Sequence, residues 1–240
     1  MRNKRKWKPV KTQTKIKLIL ALVFFLLFCA LTVLIVTLDV RTAGPCETKV
    51  GLASLNTAVR DAIGQNHAMY RVSKWIGLAA IAVSAAAALF GVLQLIMRKS
   101  LLKVDRAILL LGGLYVLTGL QYVLFEIAKI NYRPVLEEGQ SFPEASYPSS
   151  HTLMIVVIFG SAVILAERYI KNAALKRALQ CAGCLLCLLG TAARLLSGVH
   201  WCTDVAGGAL LALALILLFA GLLDIFAPKE KQAGQTEETE

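Results

Sequence analysis

The sequence predicts an all-α protein of the membrane: a polytopic bundle of six transmembrane helices with both termini in the cytoplasm. Three observations lead there. Of the 240 residues, 57% are apolar and 17% charged, whereas a soluble domain carries about a quarter charged residues; the mean hydropathy is +0.65. The apolar residues gather into long runs, and a helix needs roughly 20 of them to cross the hydrocarbon core. The basic residues fall between those runs and are not interleaved with aromatic side chains. The net charge of +11 therefore does not build a base-stacking platform for nucleic acid. Soluble enzymes and disordered or fibrous chains are excluded on the same grounds, and the bilayer is the partner that remains.

The runs place spans at roughly 17–38, 76–97, 107–128, 150–166, 179–198 and 204–226. The fourth is short and crosses only if it stands nearly upright. Lys and Arg concentrate on the cytoplasmic side of membrane proteins. With both termini inside, 18 of the 26 basic residues fall on the inner face, which sets the orientation and makes this a multi-pass protein of the cell membrane. The chain then divides into a basic cytoplasmic segment 1–16, a six-span domain 17–226 with an outer loop 39–75, and an acidic tail 227–240 whose end, Gln232 to Glu240, reads as disordered. The first apolar run is too long for the core of a cleaved leader and reads as a span.

Between the spans, Leu52, Leu55, Val59 and Ile63 recur at helical spacing and predict a short amphipathic helix, either on the membrane surface or packed on the bundle. His67 reads as a loop residue. Cys181, Cys184 and Cys187 fall on one stripe of the fifth span without His or carboxylate beside them, and so read as small packing residues and not as metal ligands. Cys46 and Cys202 share the outer side, but nothing in their spacing pairs them.

Residues with chemical potential gather in three places. The third span ends in Glu126, Lys129, Arg133 and Pro134. The fourth begins with Pro148-Ser149-Ser150-His151. The turn from the fifth span to the sixth carries Arg194, His200 and Asp204. All three lie at the predicted outer face. Asp204, four residues after His200, is spaced to accept from one ring nitrogen and leave the other free to attack. Arg133 and Arg194 suit phosphate oxygens. Ser149 and Ser150, ahead of an apolar helix, suit an anion at its N-terminus, and His151 suits proton transfer to a departing oxygen. Taken singly, each has a plainer role: snorkelling arginines, an N-cap serine, a solvated histidine. Their meeting at one face makes the case for phosphoryl chemistry.

These residues resemble the motifs of the type 2 phosphatidic acid phosphatase superfamily, the membrane lipid phosphatases related to the vanadium haloperoxidases. Its patterns KxxxxxxRP, PSGH and SRxxxxxHxxxD are met here by Glu126…Arg133-Pro134, Pro148-Ser149-Ser150-His151 and Ala193-Arg194…His200…Asp204. The resemblance implies a metal-independent phosphatase without cofactor, acting on a lipid phosphate at the extracytoplasmic face. It implies His200 as the nucleophile forming a phosphohistidine, Asp204 orienting it, and His151 as leaving-group acid. Arg133, Arg194 and the Ser149–Ser150 segment would bind the phosphoryl oxygens. Glu126 stands where the family has Lys, Ser150 where it has Gly, and Ala193 where it has Ser. Lys129 lies about 4.5 Å further along the helix and about 60° from Glu126; it is expected to restore the lost charge, with Glu126 modulating an arginine. Undecaprenyl diphosphate and glycerolipid phosphates such as phosphatidic acid or phosphatidylglycerol phosphate are the implied substrates. An alternative is a weak or inactive relative that binds lipid phosphate headgroups or a membrane partner, favoured by the altered first motif. A small transporter is disfavoured, because its ionisable residues belong near the bilayer midplane.

Overall fold

The protein is described by a computed structural model over residues 11–136 and 139–228. Residues 1–10 of the basic segment and the acidic stretch Gln232–Glu240 lie outside the described residues. Among the described residues, seven α-helices follow in order: α1 Thr12–Thr37, α2 Ala53–Ile63, α3 His67–Arg98, α4 Arg106–Ala128, α5 Ser150–Tyr169, α6 Ala173–Leu196 and α7 Cys202–Phe226. All but α2 are long and apolar enough to cross a membrane. The ion pair of Lys17 with Asp224 (2.8 Å) ties the start of α1 to the end of α7. The bundle thus has a terminal end, bearing both ends of the described chain, and a loop-rich end formed by residues 38–66, 129–136, 139–149 and 197–201.

The largest departure from the expected spans is at α3, which begins at His67 and not near residue 76. Asn66 sets that start: its side chain accepts the N–H groups of Ala68 (3.0 Å) and Met69 (3.1 Å). Capping, not hydropathy, decides where the helix begins. His67 is accordingly the first residue of a helix and not a loop residue, and α3 carries about two polar turns beyond the apolar run.

α5 and α7 are the central pair. α7 packs along α1 and α5, and α5 also meets α3, α4 and α6. In a bilayer, helices associate mainly through close packing at small residues, and glycines provide it here. On α6, a Cβ at Gly183 or Gly190 would lie 2.6 Å from Val163 or 2.9 Å from Ile155 of α5. These glycines are the packing positions of α6, whereas Cys181 and Cys184 are exposed and Cys187 is half-buried. On α7, a Cβ at Gly207 would stand 2.5 Å from the Tyr147 ring, and one at Gly208 would stand 2.7 Å from the Ser149 carbonyl. The Gly-Gly pair therefore lets the segment before α5 lie directly on α7, which brings two of the three motif clusters together.

The segment between α1 and α3 folds into a short antiparallel ribbon, β1 Arg41–Thr42 with β2 Lys49–Val50, and then α2. The helix docks on the bundle by its polar side: Asn56 is fully buried and donates to the Gly51 carbonyl (2.8 Å) and Thr203 Oγ1 (3.0 Å). Leu55 of the expected apolar stripe is 52% exposed. Cys46 and Cys202 are both free; their thiols point to the Ser141 carbonyl (3.7 Å) and Asn56 Oδ1 (3.2 Å).

Candidate functional site

At the loop-rich end the chain leaves α4 through Lys129 and doubles back on itself. The N–H of Arg133 donates to the Glu144 carbonyl (2.9 Å), and that of Ser146 to the Asn131 carbonyl (2.8 Å), with Tyr132 opposite Ala145. This short pairing fixes Arg133, whose Nη2 meets Glu144 Oε2 at 2.9 Å. Ser149, fully buried, is the N-cap of α5. Its Oγ accepts from Thr152 Oγ1 (3.1 Å) and the Thr152 N–H (3.4 Å). Its own N–H donates to the Asp204 carbonyl (2.9 Å). The amides of Ser150 and His151 belong to the first helical turn, which has no intrahelical acceptor.

The turn between α6 and α7 holds the third cluster. Gly198 has φ +69°, and a Cβ there would lie 2.2 Å from the Gly64 carbonyl, so glycine alone fits. The tight turn sets His200 between Arg194 and Asp204, which are 1% and 0% exposed; His200 itself is 4% exposed. Asp204 Oδ2 accepts the Trp201 N–H (3.0 Å) and lies 3.5 Å from His200 Nδ1, while Oδ1 accepts from Asn131 Nδ2 (3.4 Å). Arg194 Nη2 lies 3.1 Å from His200 Nε2. A guanidinium has only donors, so Nε2 accepts and the proton of the neutral ring sits on Nδ1, toward Asp204. Burial, then the charges of Arg194 and Arg133, hold the His200 imidazole well below its ordinary pKa of 6.5. At neutral pH the ring is uncharged.

His151 lies within electrostatic reach of His200, and its ring rests against α3: a Cβ on Gly77 would be 3.4 Å from its Cδ2. The structure thus brings together Arg194, His200 and Asp204 directly. Arg133 and His151 lie in their field, and Ser149 joins through the Asp204 carbonyl. Glu126 is exposed on α4 and lines a small recess with Tyr147 and Ser150. Lys129 is exposed at the α4 C-cap, in the left-handed region with φ 44°.

Five residues of this end escape a reading by motif. Asn131, within the first cluster, is fully buried and meets Asp204. Glu144 partners Arg133, and Ser146 lies against both His200 and Asp204. Tyr70 and Lys74 come from the polar turns of α3: the Tyr70 ring lies 5.6 Å from Arg194 Cζ and 4.9 Å from Lys74 Nζ. The Asn66 cap, followed by Tyr70, Ser73, Lys74 and Gly77 at helical spacing, is the signal in the sequence that reveals this face. Among the described residues, no group of three or more His, Cys, Asp and Glu is placed to hold a metal ion.

The sequence model of the PAP2 superfamily matches residues 77–224, a range that contains all three clusters. The chain belongs to the PAP2 superfamily. Among solved structures, the fold of this PAP2 chain is similar to that described as the first transmembrane PAP2 type phosphatidylglycerolphosphate phosphatase from Bacillus subtilis. The two share a TM-score of 0.58 and 21% sequence identity, over 84% of this chain and 94% of that one. No curated protein matches the chain. Tyr70 and Lys74 precede the range matched to the PAP2 superfamily, so this wall of the site is described by the chain's own geometry.

Proposed function

We propose that the protein is a lipid phosphatase that works through a phosphohistidine on His200 at the extracytoplasmic face of the membrane. The observation that carries this reading is the buried set of Arg194, His200 and Asp204, with a neutral His200 whose Nδ1 side faces a carboxylate. The orientation rests on the bias of basic residues toward the side of the termini.

In the first step the Nε2 lone pair of His200 attacks phosphorus. The bond from phosphorus to the leaving oxygen breaks, and that oxygen takes a proton from His151. Asp204 stabilises the positive charge that develops on the ring. In the second step His151 takes a proton from water as the water oxygen attacks phosphorus. The N–P bond breaks, inorganic phosphate leaves, and the His200 lone pair is restored. Arg194 holds that lone pair through Nη2 until a phosphoryl oxygen claims the guanidinium. Together with Arg133 and the first-turn amides of α5, it then neutralises the transition state. Ser149 positions this turn through its cap and its bond to the Asp204 carbonyl. Substrates in keeping with the reading are polyprenyl diphosphates or glycerolipid phosphates. Glu126, in place of a motif cation, favours a second reading as a relative that binds phosphate headgroups without turning them over, with Lys129 as its compensating charge.

The test offers purified protein in detergent, with chelator and no added metal, a panel of lipid mono- and diphosphates, alongside His200→Ala. Release by the wild type, reduced about ten-thousandfold or more in the variant, supports the phosphatase. Equal release by both sinks the phosphohistidine, and no release from any lipid by the wild type leaves the binding reading.

A further inference from the structure

One wall of the site lies outside the three motif clusters. α3 carries Tyr70, Ser73, Lys74 and Gly77 at spacings of three and four, hence on one face. Ser73 and Gly77 are buried against the bundle, and Gly77 lies directly under the His151 ring. Lys74 is one turn closer to the loop-rich end on that face, and helical side chains lean toward the helix N-terminus. Its ammonium therefore extends from the wall beside His151 toward the mouth of the site. The Tyr70 ring lies 4.9 Å from its Nζ, and Arg194 presents its guanidinium to the same ring, 5.6 Å from Cζ. Two cations from different helices are thus gathered at one aromatic ring. Each is attracted to the ring. Lys74 is also exposed on its free side, so an incoming headgroup can reach it, and its charge reaches His151.

We propose that Lys74 is a specificity-determining residue that selects lipid diphosphates. This assignment rests on the phosphatase reading above. When a monophosphate ester is cleaved, the leaving group is an alkoxide, and the proton from His151 neutralises it completely. When a diphosphate is cleaved, His200 takes the terminal phosphoryl group and the bond from the terminal phosphorus to the bridging oxygen breaks. The lipid then departs as a phosphate monoester that still carries negative charge on its non-bridging oxygens after protonation by His151. That charge calls for a cation on the proton donor's side of the site, apart from the arginines that serve the transferred group. Lys74 is a cation in that place. A lysine suits the role because its ammonium is a compact charge on a flexible stem.

The experiment compares farnesyl diphosphate with phosphatidic acid, both in detergent micelles, for the purified full chain and for Lys74→Met and Lys74→Arg. The readout is the ratio of the two kcat/KM values, which a general loss of folded protein does not move. Lys74→Met is expected to lower the ratio of diphosphate to monophosphate about tenfold to a hundredfold, the effect of one charged hydrogen bond. Lys74→Arg is expected to restore most of it. An unchanged ratio in Lys74→Met overturns the assignment alone, because the wild type still hydrolyses its substrates. Release from neither lipid by the wild type overturns the phosphatase reading and the assignment with it.

Discussion

The two ends of the bundle use charge in opposite ways. At the terminal end, Lys17 meets Asp224 (2.8 Å) and Lys176 meets Glu167 (3.1 Å), with side chains 23–47% exposed. Asp105 caps α4 through the Ala107 N–H (2.9 Å), accepts from Tyr169 Oη (2.7 Å) and faces Arg168 (3.8 Å). Each of these charges faces an opposite charge or a cap, and water as well; such pairs contribute about 0–1 kcal/mol each. At the loop-rich end, Arg194, His200 and Asp204 are withdrawn from water almost entirely. Removing an ion from water costs several kcal/mol, and replacing such a group by well-packed apolar residues is often stabilising. The terminal arrangement is one that folding alone explains. The loop-rich arrangement opposes stability, and clusters of that kind mark functional sites.

The largest effect expected from probing this contrast is at Asp204. Asp204→Asn retains the size of the side chain and its acceptor for the Trp201 N–H, but removes the charge facing His200 Nδ1. Phosphate release is expected to fall about a thousandfold to ten-thousandfold, the scale seen when a carboxylate that orients a catalytic imidazole is replaced by its amide. The thermal midpoint in detergent is expected to change little by comparison, because the relief of burying a charge is offset by the loss of the Asn131 hydrogen bond. A fall in midpoint as steep as the fall in activity would place Asp204 with the structural charges of the other end.

How much of this contrast is legible in the sequence differs between the ends for a physical reason. Arg194, His200 and Asp204 share one turn and its flanking helices, so their spacing along the chain already encodes their spacing in space. The six spans are legible for the same reason, since hydropathy is a local property. Asn131 and Glu144 are not legible: their partners are Asp204 and Arg133, brought close by the doubled-back loop and by the approach that Gly207 and Gly208 permit. Lys74 was hidden by the rule that revealed the spans. A charge at the edge of an apolar run is assigned to a loop, whereas the Asn66 cap extends the helix through it.

Acidity distinguishes the two ends next. With the pKa of His200 held well below 6.5 by burial and by Arg194 and Arg133, the ring is neutral in the folded protein at pH values where it is protonated in the unfolded chain. The unfolded chain therefore binds more protons below 6.5, and the stability contributed by this group is lost as pH falls from there through the folded value. For the same reason kcat/KM, corrected for the substrate phosphate that itself titrates at about pH 6, is expected to show no loss from protonation of His200 at 6.5. On the acid side it should fall by about tenfold per unit once the ring takes a proton. A midpoint at or above 6.5 would mean an imidazole as well solvated as the exposed charges of the terminal end.

The smallest effect on turnover is expected at Asp105, and it tests the other half of the contrast. Asp105→Ala removes the cap of α4 and the acceptor of Tyr169 Oη together. The loss is expected to be about 1–2 kcal/mol of stability, read as a lower thermal midpoint in detergent. Asp105→Asn is expected to recover most of it, since asparagine caps helices as well as aspartate does. Both variants should hydrolyse substrate with kcat/KM within about twofold of wild type, because a helix of 20 residues or more puts about 30 Å between Asp105 and the site. If Asp105→Ala lowered turnover as much as Asp204→Asn does, the two ends would be one coupled charge system, and burial would no longer separate the charges that hold the fold from those that meet the substrate.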